Sequence, residues 1–374
     1  MTFELPPYPY DRLSSLAKLA EARPGGMVDC SVGTPCDPPL PAVVEALASS
    51  GSERGYPASA GSPGLRAAAA AWLQRRFGLD SVAPESVAAC VGTKEFVASL
   101  PQYLRLRQPG RDTVLYPAVS YPSYAMGAAL AGCRAVAVPP VPGHLGGLDL
   151  DAIAEEDAAR ALVLWSNSPS NPTGGLGDLS AEAAWGRGHG VPVFSDECYA
   201  EFTWLGPPRS ILQSGVDGVV AVHSLSKRSN LAGVRVGFFA GDPELVEFLR
   251  AVRQHGGLMV PGPAQAAGVV ALDDDDHVEV QRQRYRERLA FLAGVLTEFG
   301  LPVGRPDGGF YLWVPVPEHV ADAWALAEEL ARRGGLLVSP GEFYGEAAAD
   351  HVRVAVVQPM ERLELVAERL GAAR

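Results

Sequence analysis

Lysine is rare in this sequence of 374 residues, and one lysine has a setting that suits covalent chemistry. All but three of the 31 basic residues are arginine, and the three lysines are Lys18, Lys94 and Lys227. Lys227 lies in HSLSKRSNLAGVRVGFF (223–239), after an apolar run and between two serines and an arginine. A desolvated lysine beside another cation has a lowered pKa and attacks carbonyl groups. Lys227, with Arg228 and Arg235 close in sequence, is therefore a candidate amine nucleophile.

Further polar residues follow predicted buried strands, where α/β proteins bind their ligands. Ligands of open α/β sheets gather at the carboxyl ends of the strands. The residues at these predicted ends are Gly92, Thr93, Lys94, Tyr121, Asn171, Asp196, Tyr199, Ser224, Ser226 and Lys227. They contain no group of histidines or carboxylates with metal-ligand spacing, so we expect no metal site. The acidic run at 273–276 predicts a solvated turn and a helix start instead.

Together these residues suit a ligand with an aldehyde, a phosphate and an aromatic ring, as in pyridoxal 5′-phosphate. Lys227 would bind the aldehyde. The glycine loop GTKE (92–95), at a predicted helix start, would bind the phosphate together with Ser224 and Ser226. Asp196 would keep a proton on the ring nitrogen, which makes the ring an electron sink.

Other side chains complete the expected cofactor contacts. Arg235 would join the phosphate contacts, Asn171 and Tyr199 would donate hydrogen bonds to the phenolic oxygen, and Tyr121 would stack on the ring. Lys94 has two open interpretations: a solvent-exposed residue at the helix start, or an added contact to the phosphate or to an acidic substrate. Each residue alone is typical of an ordinary turn, cap or surface position, and only their combination favours a cofactor site.

The apolar segments predict a large α/β domain followed by a smaller α+β unit. Seven short runs between residues 86 and 241 alternate with helical or Gly/Pro-rich stretches, and most are apolar throughout. Such strands are buried on both faces, and helical connections favour a mainly parallel sheet between helices. The predicted division is an N-terminal arm with part of the small domain at 1–40, a large cofactor-binding domain at 41–272 and a small C-terminal domain at 273–374.

Composition disfavours several classes of protein. The formal net charge of −12 argues against nucleic acid or an anionic membrane as the main partner. Five cysteines without a C-x-x-C pair predict buried thiols in a reducing compartment rather than disulfides or a zinc site. No basic start precedes an apolar core at the N-terminus, and no apolar run has the length of a membrane span. We therefore expect a cytoplasmic protein.

Three segments resemble the signature of class I and II aminotransferases of pyridoxal-phosphate fold type I. They are NSPSNPTG (167–174), SDECYAEF (195–202) and HSLSKRSNLAGVRVGF (223–238), which place Asn171, Asp196, Tyr199, Lys227 and Arg235 in the order and spacing of that family. GYPASAGSPGLRAAAAAWL, GGFYLW and HVRVAVV extend the resemblance over nearly the whole chain. It implies a large domain with a seven-stranded sheet and a small domain built from both chain ends.

The resemblance also implies a homodimer with active sites at the interface and a ping-pong transfer of an amino group. Tyr56 of GYP would reach the cofactor phosphate of the partner subunit. Arg353 of HVRVAVV would grip the substrate α-carboxylate with its planar fork. Gly33 of SVGTP would approach the same carboxylate, and Asn171 would also line the substrate. Lys227 would carry a proton between the substrate α-carbon and the cofactor.

Within the family, the sequence is most similar to N-succinyldiaminopimelate aminotransferases of the actinobacterial type, which act in lysine biosynthesis. VGTKEFVASLP and HGGLMVPGPAQAA are among the segments that carry this similarity. The implied reaction moves an amino group from N-succinyl-LL-2,6-diaminopimelate to 2-oxoglutarate. This substrate has distal carboxylates, so an accessory cation is expected, with Lys94, Arg12 and Arg23 as candidates. The family usually has a pair of small residues where this chain has Thr93-Lys94.

Other activities of the same fold stay open. An alanine, aromatic or acetylornithine-type aminotransferase would use the same residues, and a C–S β-lyase uses the same lysine and aspartate. Transamination with glutamate, compared with release of ammonia and pyruvate, distinguishes these two groups. The aminotransferase-like half of a transcription regulator would need an N-terminal DNA-binding domain, for which the predicted arm is too short.

Overall fold

The computed structural model describes residues 8–52, 54–80 and 82–371, which form two compact units. Within the described residues, the smaller unit comprises 8–36, 284–306 and 310–371, and the larger comprises 37–283 and 307–309. The first seven residues of the predicted N-terminal arm lie outside the described residues.

The elements of the described residues follow one another in a mixed α/β order. The α-helices are α1 (Ser14–Glu21), α2 (Pro41–Ala48), α3 (Pro63–Phe77), α4 (Thr93–Arg107), α5 (Ser123–Leu130), α6 (Glu155–Arg160), α7 (Leu179–His189), α8 (Leu225–Arg228), α9 (Pro243–His255), α10 (Gly262–Asp273), α11 (Asp276–Glu298), α12 (Ala323–Gly334) and α13 (Met360–Leu370). The strands are β1 (Val28–Asp29), β2 (Val87–Cys90), β3 (Thr113–Pro117), β4 (Arg134–Val138), β5 (Ala161–Asn167), β6 (Val193–Asp196), β7 (Val219–Ser224), β8 (Gly237–Gly241), β9 (Tyr311–Pro315), β10 (Leu336–Leu337), β11 (Ser339–Pro340) and β12 (His351–Ala355).

The larger unit contains a seven-stranded sheet with the strand order β2-β8-β7-β6-β5-β3-β4. β8 runs antiparallel to both of its neighbours, and the remaining neighbours are parallel. Each of the seven apolar runs that predict a strand contributes one strand to this sheet. The predicted mainly parallel sheet is therefore confirmed.

Alternate residues of the strands enter two separate hydrophobic clusters, so the sheet is covered on both faces. In β7, Val219 and Ala221 belong to one cluster, and Val220 and Val222 belong to the other. Helices α3, α7 and α10 contribute to the first cluster, and α4, α5 and α9 contribute to the second. Burial on both faces explains why these strands are apolar throughout.

Helix α3 shows how local sequence sets an element. The Ser62 hydroxyl accepts a hydrogen bond from the Leu65 amide at 3.1 Å and caps the helix, and Pro63 is its first residue. Gly78 ends the helix in the left-handed conformation, with φ of 68°. Ser62-Pro63 before the helix and Gly78 after it are start and stop signals that the sequence alone displays.

The smaller unit contains a three-stranded antiparallel sheet with the order β11-β12-β9 and a parallel pair of β1 with β10. In this pair Val28 is the register partner of Leu336. Helix α12 packs between α1 and α13. The two ends of the chain therefore build this unit together, as the resemblance implied.

The boundary between the two units falls inside helix α11, at residues 283/284. The change in composition predicts it at 272/273 instead, and the other boundary lies at 36/37 rather than at the predicted 40/41. The acidic run at 273–276 contributes to the start of α11. Asp274 accepts the His277 amide at 2.9 Å.

None of the five cysteines, all of which lie in the described part of the chain, forms a disulfide. Among the described helices, none is long and apolar enough to cross a membrane.

Candidate active site

Three neighbouring parallel strands end at the same edge of the seven-stranded sheet. Asn167 in β5 is the register partner of Asp196 in β6, and Asp196 is the partner of Val222 in β7. Strand β7 continues to Ser224. The predicted site residues Asp196 and Ser224 therefore lie at one sheet edge.

Asp196 is oriented by hydrogen bonds from two sides. The Tyr124 hydroxyl donates to Oδ2 at 3.0 Å, and the Cys198 amide donates to Oδ1 at 3.2 Å. Burial raises the pKa of Asp196, while the hydrogen bonds from Cys198 and Tyr124 and the positive charge of Lys227 oppose this shift. The carboxylate is thus held in a fixed direction within the field of Lys227.

Lys227 lies in the single-turn helix α8, directly after β7. Ser224 caps this helix, because its hydroxyl accepts the Ser226 amide at 3.1 Å. Lys227 is half-buried, and its charge influences both Asp196 and Cys198. The structure therefore brings the candidate nucleophile and the candidate ring-nitrogen carboxylate together.

Arg228 has a different role from the one that the sequence suggested. Its guanidinium is buried and forms ion pairs with Glu201 and with Asp275, each at 3.0 Å. It also lies over the Trp72 ring, 5.6 Å from the centroid. Consecutive helical residues do not face each other, so Arg228 points into this buried network rather than toward Lys227. Its charge is compensated by two carboxylates, so Arg228 is not the neighbouring cation that the sequence suggested for Lys227.

Arg235 packs directly against the start of helix α4. It has a left-handed backbone, with φ of 60°, and its Nη1 donates to the Ala232 carbonyl at 2.9 Å. A Cβ atom on Gly92 would lie only 2.1 Å from Nη2 of Arg235. Gly92 is the N-cap of α4, where the first amides of a helix point outward and favour an anion. Because Gly92 has no side chain, the first amides of α4 and the Arg235 guanidinium border one space, and these groups fit a phosphate.

The two residues after Gly92 contact neighbouring loops. Thr93 Oγ1 lies 3.2 Å from Cys198 Sγ. Lys94 is exposed, and its Nζ lies 5.5 Å from the centroid of the Tyr121 ring, within the range of a cation–π contact. Lys94 is therefore close to the ring that the sequence predicted to stack on the cofactor.

Asn171 and Tyr199 lie in the loops that follow β5 and β6, and both are buried. The Asn171 amide donates to Asn167 Oδ1 at 2.8 Å, and Asn167 Nδ2 donates to the Asp196 carbonyl at 2.9 Å. These bonds fix the Asn171 loop to the sheet edge that carries Asp196.

Arg353 and Gly33 lie in the smaller unit, where both contact Tyr311. The Arg353 guanidinium is 1% exposed and lies between the Tyr311 and Tyr344 rings, 4.4 and 4.7 Å from their centroids. It donates hydrogen bonds to the Ser31 carbonyl and, at 3.4 Å, to the Tyr10 hydroxyl. A Cβ atom on Gly33 would lie 2.3 Å from Tyr311 Oη.

Tyr56 stands apart from the other predicted site residues, because its side chain is 98% exposed. It belongs to the larger unit, in the segment between α2 and α3.

Several residues at these positions were not predicted from the sequence. Tyr124 and Cys198 bind Asp196, and Tyr311 and Tyr344 enclose Arg353. A signal existed for Tyr124, which follows the predicted ring-stacking residue Tyr121 by three residues. Cys198 had a weaker signal, its place between Asp196 and Tyr199.

Comparison with known proteins identifies the family of the chain. The family model "Aminotransferase class I and II" matches residues 26–370. "Probable aminotransferase Rv1178" of Mycobacterium tuberculosis is 45% identical, over 98% of this chain and 85% of the relative. The 4-dedimethylamino-4-oxo-anhydrotetracycline transaminase OxyQ of Streptomyces rimosus is 43% identical, over 98% and 99%.

A solved structure shares the fold along nearly the whole chain. The "probable N-succinyldiaminopimelate aminotransferase" from Thermus thermophilus superposes with a TM-score of 0.86 at 32% identity, over 96% of this chain and 98% of that one. The sequence resemblance and the fold type are thereby confirmed. The chain belongs to the class I and II aminotransferases, a family that depends on pyridoxal 5′-phosphate.

Proposed function

We propose that this aminotransferase transfers an amino group between N-succinyl-LL-2,6-diaminopimelate and 2-oxoglutarate in the cytoplasm, with Lys227 bound to the cofactor aldehyde. The observation that carries the choice of these two residues is their placement at one sheet edge: Asp196 ends β6, and Lys227 lies in α8 directly after the neighbouring strand β7. The cofactor, when bound, supplies an electron sink for the substrate α-carbon.

The larger unit would bind the cofactor through contacts at the two loops and the sheet edge. Asp196 would hold a proton at the ring nitrogen, and the two donors that orient its carboxylate and favour its ionised form suit that task. The phosphate contacts would come from Gly92, Thr93, Ser224, Ser226 and Arg235. The ring contacts would come from Tyr121, Asn171 and Tyr199.

Lys227 would act as the proton carrier of the reaction. Its amine would move a proton to or from the substrate α-carbon. Its half-buried position limits the competing access of water to the amine.

Arg353 would bind the substrate α-carboxylate. Its guanidinium plane is set by the Tyr311 and Tyr344 rings and by the Ser31 carbonyl. An arginine fixed in this way offers a planar fork that matches a carboxylate with two parallel hydrogen bonds. The contact of Gly33 with Tyr311 keeps the backbone near Arg353, which supports a place for Gly33 beside the same carboxylate.

Lys94 is the best candidate for a contact to a distal acidic group of the substrate. Its exposed amine lies beside Tyr121, the ring proposed to stack on the cofactor. Arg12 is a weaker candidate, because it forms an ion pair with Glu342 at 2.7 Å and lies over the Trp324 ring.

We further propose a homodimer in which Tyr56 reaches the partner subunit's cofactor phosphate. An aromatic side chain that is 98% exposed is unusual on an isolated surface and is typical of a contact with another chain. Burial in a partner subunit would account for its exposure in the single chain.

A second candidate substrate comes from the comparison with OxyQ. That enzyme is a transaminase of a 4-oxo-anhydrotetracycline, and it shares 43% identity with this chain, against 32% for the succinyldiaminopimelate structure. The alternative activity is therefore amination of a bulky polycyclic ketone.

A donor and acceptor panel decides among these activities. The purified holoenzyme is assayed with 2-oxoglutarate and N-succinyl-LL-diaminopimelate, LL-diaminopimelate, alanine, tyrosine or N-acetylornithine, and with glutamate and a polycyclic ketone. Ammonia and pyruvate release from cystathionine is measured in parallel. The proposal predicts the highest kcat/KM for N-succinyl-LL-diaminopimelate, and Lys94→Ala should lower it more than it lowers the value for alanine. A higher kcat/KM for the ketone or for cystathionine cleavage would contradict it.

A further inference from the structure

The thiol of Cys198 lies between two residues of the proposed cofactor site. Its Sγ is 3.2 Å from Thr93 Oγ1, at the first turn of α4. On its other side, the thiol is close enough to the Asp196 carboxylate for hydrogen bonding between the two side chains to lower the pKa of Asp196 and raise that of Cys198. The backbone of Cys198 also donates to Oδ1 of Asp196 at 3.2 Å. One residue thus contacts both the predicted phosphate loop and the predicted ring-nitrogen carboxylate.

The proton of the thiol fixes the direction of this chain of hydrogen bonds. Burial and the negative charge of Asp196 both raise the pKa of Cys198, so the thiol stays protonated at neutral pH. Its single proton goes to the carboxylate, which is the stronger acceptor. The Thr93 hydroxyl then donates to the sulfur. The chain therefore runs from Thr93 through Cys198 to Asp196.

We propose that Cys198 is a positioning residue that couples the phosphate side of the cofactor site to its ring-nitrogen side through the chain Thr93–Cys198–Asp196. The proposal rests on the assignment of Thr93 and Asp196 to the cofactor under the proposed function. Each hydrogen bond to the carboxylate favours its ionised form. The ionised form is the one that keeps a proton on the ring nitrogen, so the thiol adjusts how firmly that proton is held.

The groups that act on Asp196 come from several elements. They are Tyr124 on α5, Cys198 after β6 and Lys227 on α8, with Glu197 and Cys90 also coupled to its charge. Burial raises the pKa of Glu197 to about 8 and the pKa of Cys90 to about 12, so both are largely uncharged at neutral pH. A substitution of Cys198 leaves these other side chains in place, so the control and double variants below are needed to assign its effect to Asp196.

The test compares three variants: Cys198→Ala, Cys198→Ser and Thr93→Val. Two quantities are measured: the Kd of the apoprotein for pyridoxal 5′-phosphate, and the pH midpoint at which the visible absorbance of the holoprotein changes. Cys198→Ala removes the thiol that donates to Asp196, so the pKa of Asp196 should rise. The proton between Asp196 and the ring nitrogen should then move toward Asp196. The Kd of this variant should rise about fivefold. The midpoint should move to higher pH, because the Lys227 nitrogen keeps its proton longer beside a less protonated ring.

Two further variants separate the chain from other effects. Cys198→Ser keeps a hydroxyl donor and should leave the midpoint closer to the wild-type value than Cys198→Ala does. Thr93→Val should shift the midpoint in the direction of Cys198→Ala, and the double variant should shift it no further, because the chain is already broken. Cys133→Ala serves as the control, since the hydrogen bond of its thiol goes to the Ala131 carbonyl, at 3.9 Å, and not to Asp196 or Thr93.

The outcomes for the two proposals are distinct. A Cys198→Ala protein with wild-type Kd and midpoint overturns the role of Cys198, while its visible absorbance shows that the proposed cofactor site is intact. Additive shifts in the double variant overturn the coupling through Thr93. A wild-type protein that gains no visible absorbance with pyridoxal 5′-phosphate contradicts the proposed function, and with it the role of Cys198.

Discussion

The guanidinium of Arg235 lies against the Cα atom of Gly92, at the first turn of helix α4. A Cβ atom at position 92 would be 2.1 Å from Nη2 and 2.6 Å from Cζ of Arg235. Gly92 also has φ of 75°, which residues with a side chain rarely adopt. Position 92 therefore requires glycine for two reasons: the positive φ of its backbone and the close approach of the Arg235 guanidinium.

Gly92→Ala is expected to displace Arg235 and to weaken the binding of pyridoxal 5′-phosphate. Loss of one charge-assisted phosphate contact should raise the Kd at least about tenfold. Titration of the apoprotein with the cofactor, followed by absorbance, measures this change.

Gly78→Ala is the matched control for Gly92→Ala. Gly78 has a similar φ of 68°, but an added Cβ would meet no atom within 4 Å. It should lower thermal stability through backbone strain and leave the cofactor Kd unchanged. Equal effects of the two variants on Kd would mean that the contact with Arg235 is not responsible.

Arg353→Lys is expected to raise the KM for the amino donor while the cofactor stays bound. Lysine keeps the positive charge but loses the planar fork and the stacking between Tyr311 and Tyr344. Loss of a bidentate contact to a carboxylate should raise KM by about tenfold or more. Steady-state kinetics give KM, and visible absorbance reports the cofactor. Loss of the cofactor in this variant would contradict a role confined to the substrate.

Glu182→Gln is expected to flatten the dependence of folding stability on pH. Burial raises the pKa of Glu182 from 4.5 to about 8, with smaller effects from nearby groups. The folded protein therefore holds a proton that the unfolded chain releases above pH 4.5. This contribution to stability is complete below pH 4.5 and is lost as the pH rises toward 8.

The measurement for Glu182 is denaturant unfolding of both proteins between about pH 5 and pH 8, the interval between the two pKa values. Glutamine has no proton to release, so the stability of the variant relative to wild type should increase steadily over this range. A difference that is constant with pH would show that Glu182 is ionised in the folded protein.

The sequence was sufficient for the large-scale fold because burial on two faces leaves a simple pattern. Most of the seven strands of the large sheet are apolar throughout, and helix α3 carries its start and stop signals at Ser62-Pro63 and Gly78. The domain boundary was harder to predict, because the composition changes at residue 273 while the units divide inside α11, at 283/284.

Side-chain direction was the part of the site that the sequence could not supply. Arg228 follows Lys227 directly, yet it pairs with Glu201, 27 positions away, in a separate buried network. The contact of Cys198 with Thr93 joins two loops that are remote in sequence. The residues of the family motif were recognisable, whereas those that orient them, such as Tyr124, depend on packing between elements.

The most direct test of the account is the visible absorbance of Lys227→Ala. Wild-type protein with pyridoxal 5′-phosphate should absorb in the visible with a maximum that changes with pH, as expected for a cofactor covalently attached to Lys227. The Lys227→Ala variant should bind the cofactor noncovalently, lose the pH-dependent change and lose transamination. A variant that keeps the full wild-type spectrum and its pH dependence would contradict the assignment of Lys227.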